Sequence, residues 1–189
     1  MVRAGLTPER LVQAGAELAD EVGFDKVTVS AVARKFNVKV PSLYAHLRNS
    51  HDLKTGIAVL ALAELADRSS TALAGRSGKD ALIALGNVYR DYAREHPGRY
   101  EATGMRLDPQ TAAASSGPRN SQMIRAILRG YHLSETDQTH AVRLLGSTFN
   151  GYIRLEMGGS FDHSSPDSQQ SWTRIMDGLD ALLRNWPAE

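Results

Sequence analysis

Apolar residues recur three and four positions apart along most of this chain, which is the spacing of one face of an α-helix. The pattern predicts about nine or ten helices, and no segment alternates in the way of a β-strand. The first helix is predicted to open at Thr7 and Pro8 and to end at Gly23. Its predicted buried stripe is Leu11, Ala14, Leu18 and Val22. We therefore predict an all-α protein.

Residues 28–53 contain two short helical patterns that are joined by a tight turn. Thr28 is predicted to cap the first short helix, and Asn37 supplies the turn because Asn tolerates left-handed backbone. The second short helix turns Leu43 and Leu47 inward and leaves its other side chains outside. This order is typical of a helix-turn-helix, whose second helix reads DNA. Residues 1–50 are accordingly predicted to form a three-helix DNA-binding head, with Phe24 in its core.

The remaining residues, 51–189, are predicted to form a larger helical-bundle body. Its elements are a linking helix from residue 50 to about 69, helices at 79–95 and 97–103, an irregular stretch at 104–121, and helices at 122–131, 135–157 and from about 167 onward. Ser134 and Asp137 form a capping box, and Gly158-Gly159 ends the helix that this box opens.

Three stretches of the chain resemble the TetR-type family of one-component transcriptional repressors. They are PSLYAHLRNSHDL at 41–53, the Gly-Phe pair at 23–24 and FNGYIRLEMGGSF at 149–161. Two positions depart from the family pattern, since Lys39 stands where Ser or Thr is common and Ser50 stands where Lys is common. The resemblance implies a helix-turn-helix head, an effector-binding and dimerisation body, a double-stranded operator and a small-molecule effector.

Two sets of residues in the head are predicted to contact DNA. The N-terminal end of a recognition helix meets base edges, which assigns that role to Lys39, Val40, Pro41 and Ser42. The residues assigned to phosphates are Thr28, Tyr44, His46 and Lys54. Two alternatives stay open: Tyr44 as a core aromatic residue and His46 as a plain helix-surface residue.

The resemblance also implies a ligand cavity in the body and a four-helix bundle between two protomers. The cavity candidates are Tyr89, Tyr92, Met105, Arg106, Met123, Ile127, Phe149, Tyr152 and Trp172, with Glu156 or Arg106 as a source of polarity. The predicted dimer contacts are Leu145, Tyr152, Ile175, Leu179, Leu182 and Leu183. Two heads held about 34–36 Å apart would read successive major grooves.

Composition and charge bear on where the protein acts and on whether its partner is a nucleic acid. The chain has 189 residues, of which 42% are apolar, and it contains no cysteine. Its net charge is only +1, so the overall charge does not indicate a nucleic-acid binder. Between Lys26 and Arg48, however, five residues are basic and none is acidic. Such a run is often just a solvated surface, but here it coincides with the helix-turn-helix. The lack of thiol chemistry is compatible with the cytoplasm, where we expect the protein.

Other classes of function find little support in the sequence. The longest apolar stretch, at 56–63, is much shorter than the roughly 18 residues that a membrane span needs, so no membrane association is predicted. His132, His140 and His163 lack metal-ligand spacing, and no catalytic motif or cofactor loop is present. We predict a homodimeric repressor that a small, mainly apolar effector releases from a pseudo-palindromic operator. A small helical enzyme and a regulator without an effector remain the alternatives.

Overall fold

The computed structural model describes residues 6–187, and within this range the chain forms helices and no strand. The predicted all-α fold is confirmed. The α-helices are α1 (Pro8–Val22), α2 (Val29–Lys35), α3 (Ser50–Leu73), α4 (Gly78–Glu95), α5 (Pro97–Thr103), α6 (Pro109–Ala114), α7 (Gly117–Leu128), α8 (Glu135–Met157) and α9 (Ser168–Arg184). Three single turns of 3₁₀ helix lie at Phe24–Lys26, Val40–Ser42 and Arg129–Tyr131.

The described residues divide into two compact units. The head unit contains the residues up to Glu64 together with Glu95–Gly117, and the body unit contains Leu65–Arg94 together with the residues from Pro118 onward. The head unit is therefore larger than the predicted head at residues 1–50. It includes most of α3 and all of α5 and α6, which the sequence pattern had assigned to the body.

Helix α1 begins and ends where the sequence predicts. The Thr7 side chain accepts a hydrogen bond from the Arg10 amide, and Gly23 ends the helix with a φ of 95°. The predicted stripe is correct at Leu11 and Ala14, but Val22 is 40% exposed and Leu18 is only half-buried. Small residues are buried in their place, namely Gly15, Ala16 and Ala19.

Helices α3 and α5 both pack against the small residues of α1. A Cβ atom added to Gly15 would lie 2.9 Å from the Ile57 side chain of α3, whereas Ala19 faces α5. The backbones of α1 and α5 meet so closely that a Cβ atom added to Gly98 would lie 2.0 Å from the carbonyl oxygen of Ala19. Ala102 of α5 is fully buried in the same hydrophobic cluster as Leu11 and Phe24. Close approach of two helices requires small residues on both, and small residues give no hydrophobic stripe in the sequence.

Charged side chains fasten α5 to the rest of the head unit. The Arg99 amide donates to the Asp20 carboxylate at 2.9 Å, and the Arg99 guanidinium forms ion pairs with Asp20 at 3.0 Å and with Glu64 at 3.1 Å. Two residues further along α5, the Glu101 carboxylate accepts a hydrogen bond from the Phe24 amide. Because Arg99 is largely buried, these partners compensate for the desolvation of its charge.

The body unit is built around α4, α7, α8 and α9. Ser134 caps α8 by accepting from the Asp137 amide, as predicted, and Asp167 caps α9 by accepting from the Gln170 amide. Two boundaries differ from expectation, since α3 extends to Leu73 and α7 begins at Gly117. The periodicity of α8 also predicts that Leu155 faces inward, but this residue is 51% exposed. Helix α7 begins early because Gly117 and Pro118 are tolerated in a first helical turn, where amide groups have no intrahelical acceptor.

Candidate nucleic-acid interface and effector site

The helix-turn-helix corner is fixed by backbone hydrogen bonds. The Thr28 hydroxyl accepts from the Ala31 amide at 3.1 Å and caps α2. At the far end, Asn37 has a φ of 52°, and the Val38 amide donates to the Ala33 carbonyl at 3.1 Å. Asn37 therefore occupies the left-handed conformation expected of it, and the chain reverses within a few residues.

We call residues 39–47 the reading segment. It forms one 3₁₀ turn at Val40–Ser42 followed by turns, whereas the sequence predicted a regular helix. The Lys39 side chain does not cap this turn. The turn is closed by backbone hydrogen bonds between residues three apart, such as the bond from the Leu43 amide to the Val40 carbonyl. The Leu47 amide then bonds to the Leu43 carbonyl at 2.9 Å in α-helical spacing. The segment is thus a short, partly helical piece held by its apolar side.

Burial along the reading segment separates support from exposed surface. Leu43 is fully buried and Leu47 is 4% exposed, so both anchor the segment in the head core. Tyr44 is 54% exposed, which excludes the alternative that it is a core aromatic residue. The remaining residues assigned to base edges or phosphates divide into exposed Lys39, Pro41 and Ser42 and half-buried Val40 and His46.

Basic residues near the reading segment differ in how far they are neutralised. Lys35 forms ion pairs with Glu17 at 3.0 Å and Glu21 at 3.3 Å, and Arg48 pairs with Asp52 at 3.1 Å. The Arg48 amide also donates to the Asp52 carboxylate, and these contacts lower the pKa of Asp52. These carboxylates reduce the positive charge that Lys35 and Arg48 offer to a phosphate.

The other cations leave a smaller basic surface than the sequence suggested. Lys54 donates to the Asp25 carbonyl at 3.1 Å and lies over the Phe24 ring, so its ammonium group is engaged within the head. Among the residues that the structure describes, exposed Lys26, Arg34 and Lys39 form no ion pair. Arg34 follows from the outward positions of α2, although it was not assigned to DNA from the sequence.

In the body unit, four of the predicted cavity residues form one aromatic cluster. Phe149 lies 5.7 Å from Tyr89 and 5.9 Å from Trp172 between ring centroids, and Tyr152 lies 5.0 Å from Trp172. Burial raises the pKa of Tyr89 to about 12. The Trp172 indole N–H donates to the Asn87 side chain at 2.8 Å. These contacts are those of a packed core, in which offset aromatic pairs are favourable.

A buried ion pair adjoins this aromatic cluster. The Arg90 guanidinium donates to both carboxylate oxygens of Glu156 and lies 5.3 Å from the centroid of Trp172. Arg94 also pairs with Glu156, at 3.0 Å. Hydrogen bonding from Arg90 is the main reason that the pKa of Glu156 falls to about 2. Glu156, considered as a polar group for an effector, is therefore already neutralised by two arginines.

Two further cavity candidates line a separate, half-open cavity of about 310 Å³ in the body unit. Met123 and Ile127 of α7 contribute to its wall, which the end of α3 and the start of α4 complete. The other lining residues relevant here are Ser70, Leu73, Arg76, Ser77 and Ala126. Its volume lies at the lower end of the range for small-molecule sites. Arg76 was missed from the sequence because it falls in a Gly/Ser-rich break between helices.

The last three cavity candidates lie elsewhere. Met105 packs against the hydrophobic core of the head unit, and Arg106 is exposed in the same unit. Tyr92 is fully buried in the body unit with the Arg68 guanidinium over its ring at 5.0 Å. The structure thus separates the nine candidates into the aromatic cluster, the cavity, the head core and single positions.

The residues predicted to form the dimer contact differ widely in exposure within one chain. The single chain already buries Leu145, Tyr152, Leu179 and Leu183, while Ile175 is half-buried and Leu182 is 41% exposed. Leu155 and Met157 of α8 are 51% and 42% exposed and were not predicted as contacts. The periodicity of the sequence did not reveal these exposed apolar side chains, because it does not give the exposure of each residue. Large exposed apolar side chains on a helix indicate a contact surface.

Two negative observations concern residues 6–187. No helix in this range is long and apolar enough to cross a membrane. No group of three or more His, Asp or Glu side chains in the same range is arranged to hold a metal ion.

An N-terminal helix-turn-helix with an exposed reading segment, joined to an all-helical body, defines a DNA-binding regulator. The family model "Bacterial regulatory proteins, tetR family" matches residues 11–53, and the model "Tetracyclin repressor-like, C-terminal domain" matches residues 82–179. The chain belongs to the TetR family of transcriptional regulators.

Individual relatives agree with this assignment. An uncharacterized HTH-type transcriptional regulator of Bacillus subtilis, YobS, is 30% identical over 183 residues, which cover 97% of this chain and 96% of the relative. Another from Mycobacterium tuberculosis, Rv0681, is 32% identical over 169 residues, covering 87% and 77%. A TetR structure from Acinetobacter baumannii AYE in complex with minocycline is 18% identical, with a TM-score of 0.73 over 98% of this chain and 100% of that chain, and is similar in fold.

Proposed function

We propose that this TetR-family regulator is a homodimeric repressor whose operator affinity falls when a small molecule occupies the body cavity. The observation that carries the DNA-binding part is the reading segment, in which Leu43 and Leu47 are buried while Lys39, Ser42 and Tyr44 face outward. Polar and basic groups held outward on a fixed support can meet base edges and phosphates. A regulator of this kind acts in the cytoplasm, where its DNA lies.

The roles within the reading segment follow from exposure and chemistry. Lys39 and Ser42 donate hydrogen bonds to base edges, and Pro41 and Val40 offer apolar contact to a thymine methyl group. Tyr44 and His46 hold phosphates, and exposed Arg34 of α2 adds a further phosphate contact. Thr28 and Lys54 combine a contact within the head with a phosphate contact. The Thr28 hydroxyl accepts from the Ala31 amide and keeps its O–H to donate, and the Lys54 ammonium group has further N–H donors besides the one on the Asp25 carbonyl.

Dimerisation is supported by apolar side chains that remain exposed on α8 and α9. Leu155, Met157 and Leu182 each expose more than two fifths of their surface. Gly151 and Gly178 on the same two helices have open space around them, so a second backbone can approach there. We place the two-fold contact on these helices, with Leu182 and Ile175 as the contacts retained from the sequence prediction. Two heads are needed because one small module buries little DNA surface.

The effector part is supported by the cavity of about 310 Å³ beside Met123 and Ile127. The aromatic cluster is a poorer site, because Arg90 and Glu156 already fill its polar side. Minocycline bound to the Acinetobacter TetR protein is a precedent for a small ligand in a protein of similar fold. A ligand that binds one of two body conformations more tightly shifts the population and so changes operator affinity.

A mobility-shift assay with a matched cavity variant tests this function. The purified protein should shift DNA from upstream of its own gene, and a compound that raises its melting temperature should reverse the shift. The variant Ala126→Trp fills the cavity from an exposed position and should still bind the DNA but resist release. Gln122→Trp, which is exposed on the same helix but does not line the cavity, is the control. Equal release of both variants would place the effector elsewhere, and no DNA binding would remove the proposed function.

A further inference from the structure

The cavity in the body unit has walls of two different kinds. Leu73, Met123 and Ile127 supply an apolar side. At the junction of α3 and α4, the polar residues Ser70, Arg76 and Ser77 form the other side. Of the side chains that line this cavity, only Arg76 is ionisable. A ligand that matches both walls needs an apolar portion and a group that accepts hydrogen bonds from a cation.

The charge of Arg76 is available to such a ligand. Within the described part of the chain Arg76 forms no ion pair, whereas Lys79 next to it pairs with Asp177 at 2.8 Å. Arg119, also in the body unit, pairs with Asp67. No carboxylate lines the cavity, so nothing in its wall opposes an anion. The start of α4 at Gly78 adds the positive partial charge of a helix N-terminus to the same side.

We propose that the effector is an amphipathic anion, whose carboxylate or similar group binds Arg76 while its apolar portion packs between Leu73, Met123 and Ile127. This inference rests on the proposed function for the location of the effector site and adds its chemical class. A guanidinium group binds a carboxylate through two parallel hydrogen bonds, which gives both strength and orientation. An uncharged apolar compound of the same length would leave the Arg76 side of the cavity unused.

Calorimetric titration with three probes of equal chain length tests the class of ligand. The probes are octanoate, octanol and octylammonium, added to the full-length protein. We expect octanoate to bind once per chain, octanol about tenfold more weakly, and octylammonium more weakly still, because a hydrogen bond to a charged group is worth about one decade in affinity or more. Equal binding of octanoate and octanol, or no octanoate binding at millimolar concentration, would overturn the proposal.

Three variants, one of them a control, locate the binding. Arg76→Gln should weaken octanoate about tenfold and leave octanol unchanged. Arg129→Gln is the matched control, since Arg129 is an exposed arginine of the body unit that does not line this cavity. Ala126→Trp should abolish the binding of both probes. If Arg76→Gln and Arg129→Gln lowered octanoate affinity equally, the attraction would be general charge and the assigned role of Arg76 would be wrong.

An operator-binding measurement separates this inference from the proposed function. If octanoate binds through Arg76 but leaves operator affinity unchanged, the cavity takes amphipathic anions and the proposed release mechanism fails. If uncharged compounds release the operator from the wild type but not from Ala126→Trp, and octanoate does not bind, the release mechanism stands and the anionic class fails.

Discussion

Gly98 is the position at which one added carbon atom should do the most damage to the head unit. A Cβ atom there would lie 2.0 Å from the Ala19 carbonyl oxygen, 2.1 Å from the Ala19 carbonyl carbon and 2.7 Å from the Asp20 amide nitrogen. All three are backbone atoms of α1, so no side-chain rotation relieves the clash. In Gly98→Ala, α5 must move away from α1, which strains the contacts that Arg99 and Glu101 make with the head.

The expected loss can be bounded from the structure. Overpacking of a tight site costs about 1–3 kcal/mol, and a clash with backbone atoms belongs at the upper end of that range or beyond. The gain in helix propensity from Gly to Ala is at most about 1 kcal/mol and does not offset the clash. We therefore expect Gly98→Ala to lower the free energy of unfolding by about 2 kcal/mol or more.

Urea denaturation followed by circular dichroism measures this loss. Gly104→Ala is the matched control, because it ends the same helix and its added Cβ atom would lie 3.5 Å from the nearest heavy atom, an ordinary contact. The control should change the free energy of unfolding by no more than about 0.5 kcal/mol. If Gly98→Ala were as stable as the control, the close packing of α5 on α1 would be incorrect.

Three further predictions concern DNA, the dimer and pH. Tyr44→Phe combined with His46→Ala should lower the affinity for every DNA duplex by roughly tenfold, since two phosphate contacts are lost. A changed sequence preference would refute these roles. Leu182→Glu should give folded monomers by sedimentation, unlike Leu183→Glu, which buries a charge within one chain and should unfold it. Because the pKa of Glu156 is about 2 in the folded protein and its usual value is 4.5, its contribution to stability is present at neutral pH and falls as pH drops from about 4.5 to 2. Glu156→Gln should lose that pH dependence in denaturation curves, whereas an unchanged curve would mean that the ion pair contributes nothing.

Local signals in the sequence predicted the cap, the turn and the buried side of the helix-turn-helix, but not that its second helix is one 3₁₀ turn followed by turns. The cap at Thr28, the left-handed turn at Asn37 and the inward Leu43 each depend on residues within a few positions of one another. Such features are set by short-range backbone chemistry, which a sequence pattern contains. The same reasoning found the Ser134 cap and the approximate start of α9 in the body.

Contacts between residues far apart in the chain could not be predicted from the sequence pattern. Gly98 meets Ala19 across 79 positions, and Arg90 bonds to Glu156 across 66. Neither pair has a periodic signal, since a glycine has no side chain and an arginine on an amphipathic helix is normally placed outside. For the same reason the bond from the Lys54 ammonium group to the Asp25 carbonyl, across 29 positions, was not predicted.

The central claim, that the reading segment selects the operator sequence, is tested most directly by selecting preferred duplexes from a random pool. We expect the wild type to enrich a pseudo-palindrome, and Lys39→Ala and Ser42→Ala each to relax the preference at the same base position in both half-sites. Gln122→Ala, an exposed position in the body, should leave the preference intact. If both head variants enriched the same sequence as the wild type with unchanged affinity, the reading segment would not be what recognises the operator.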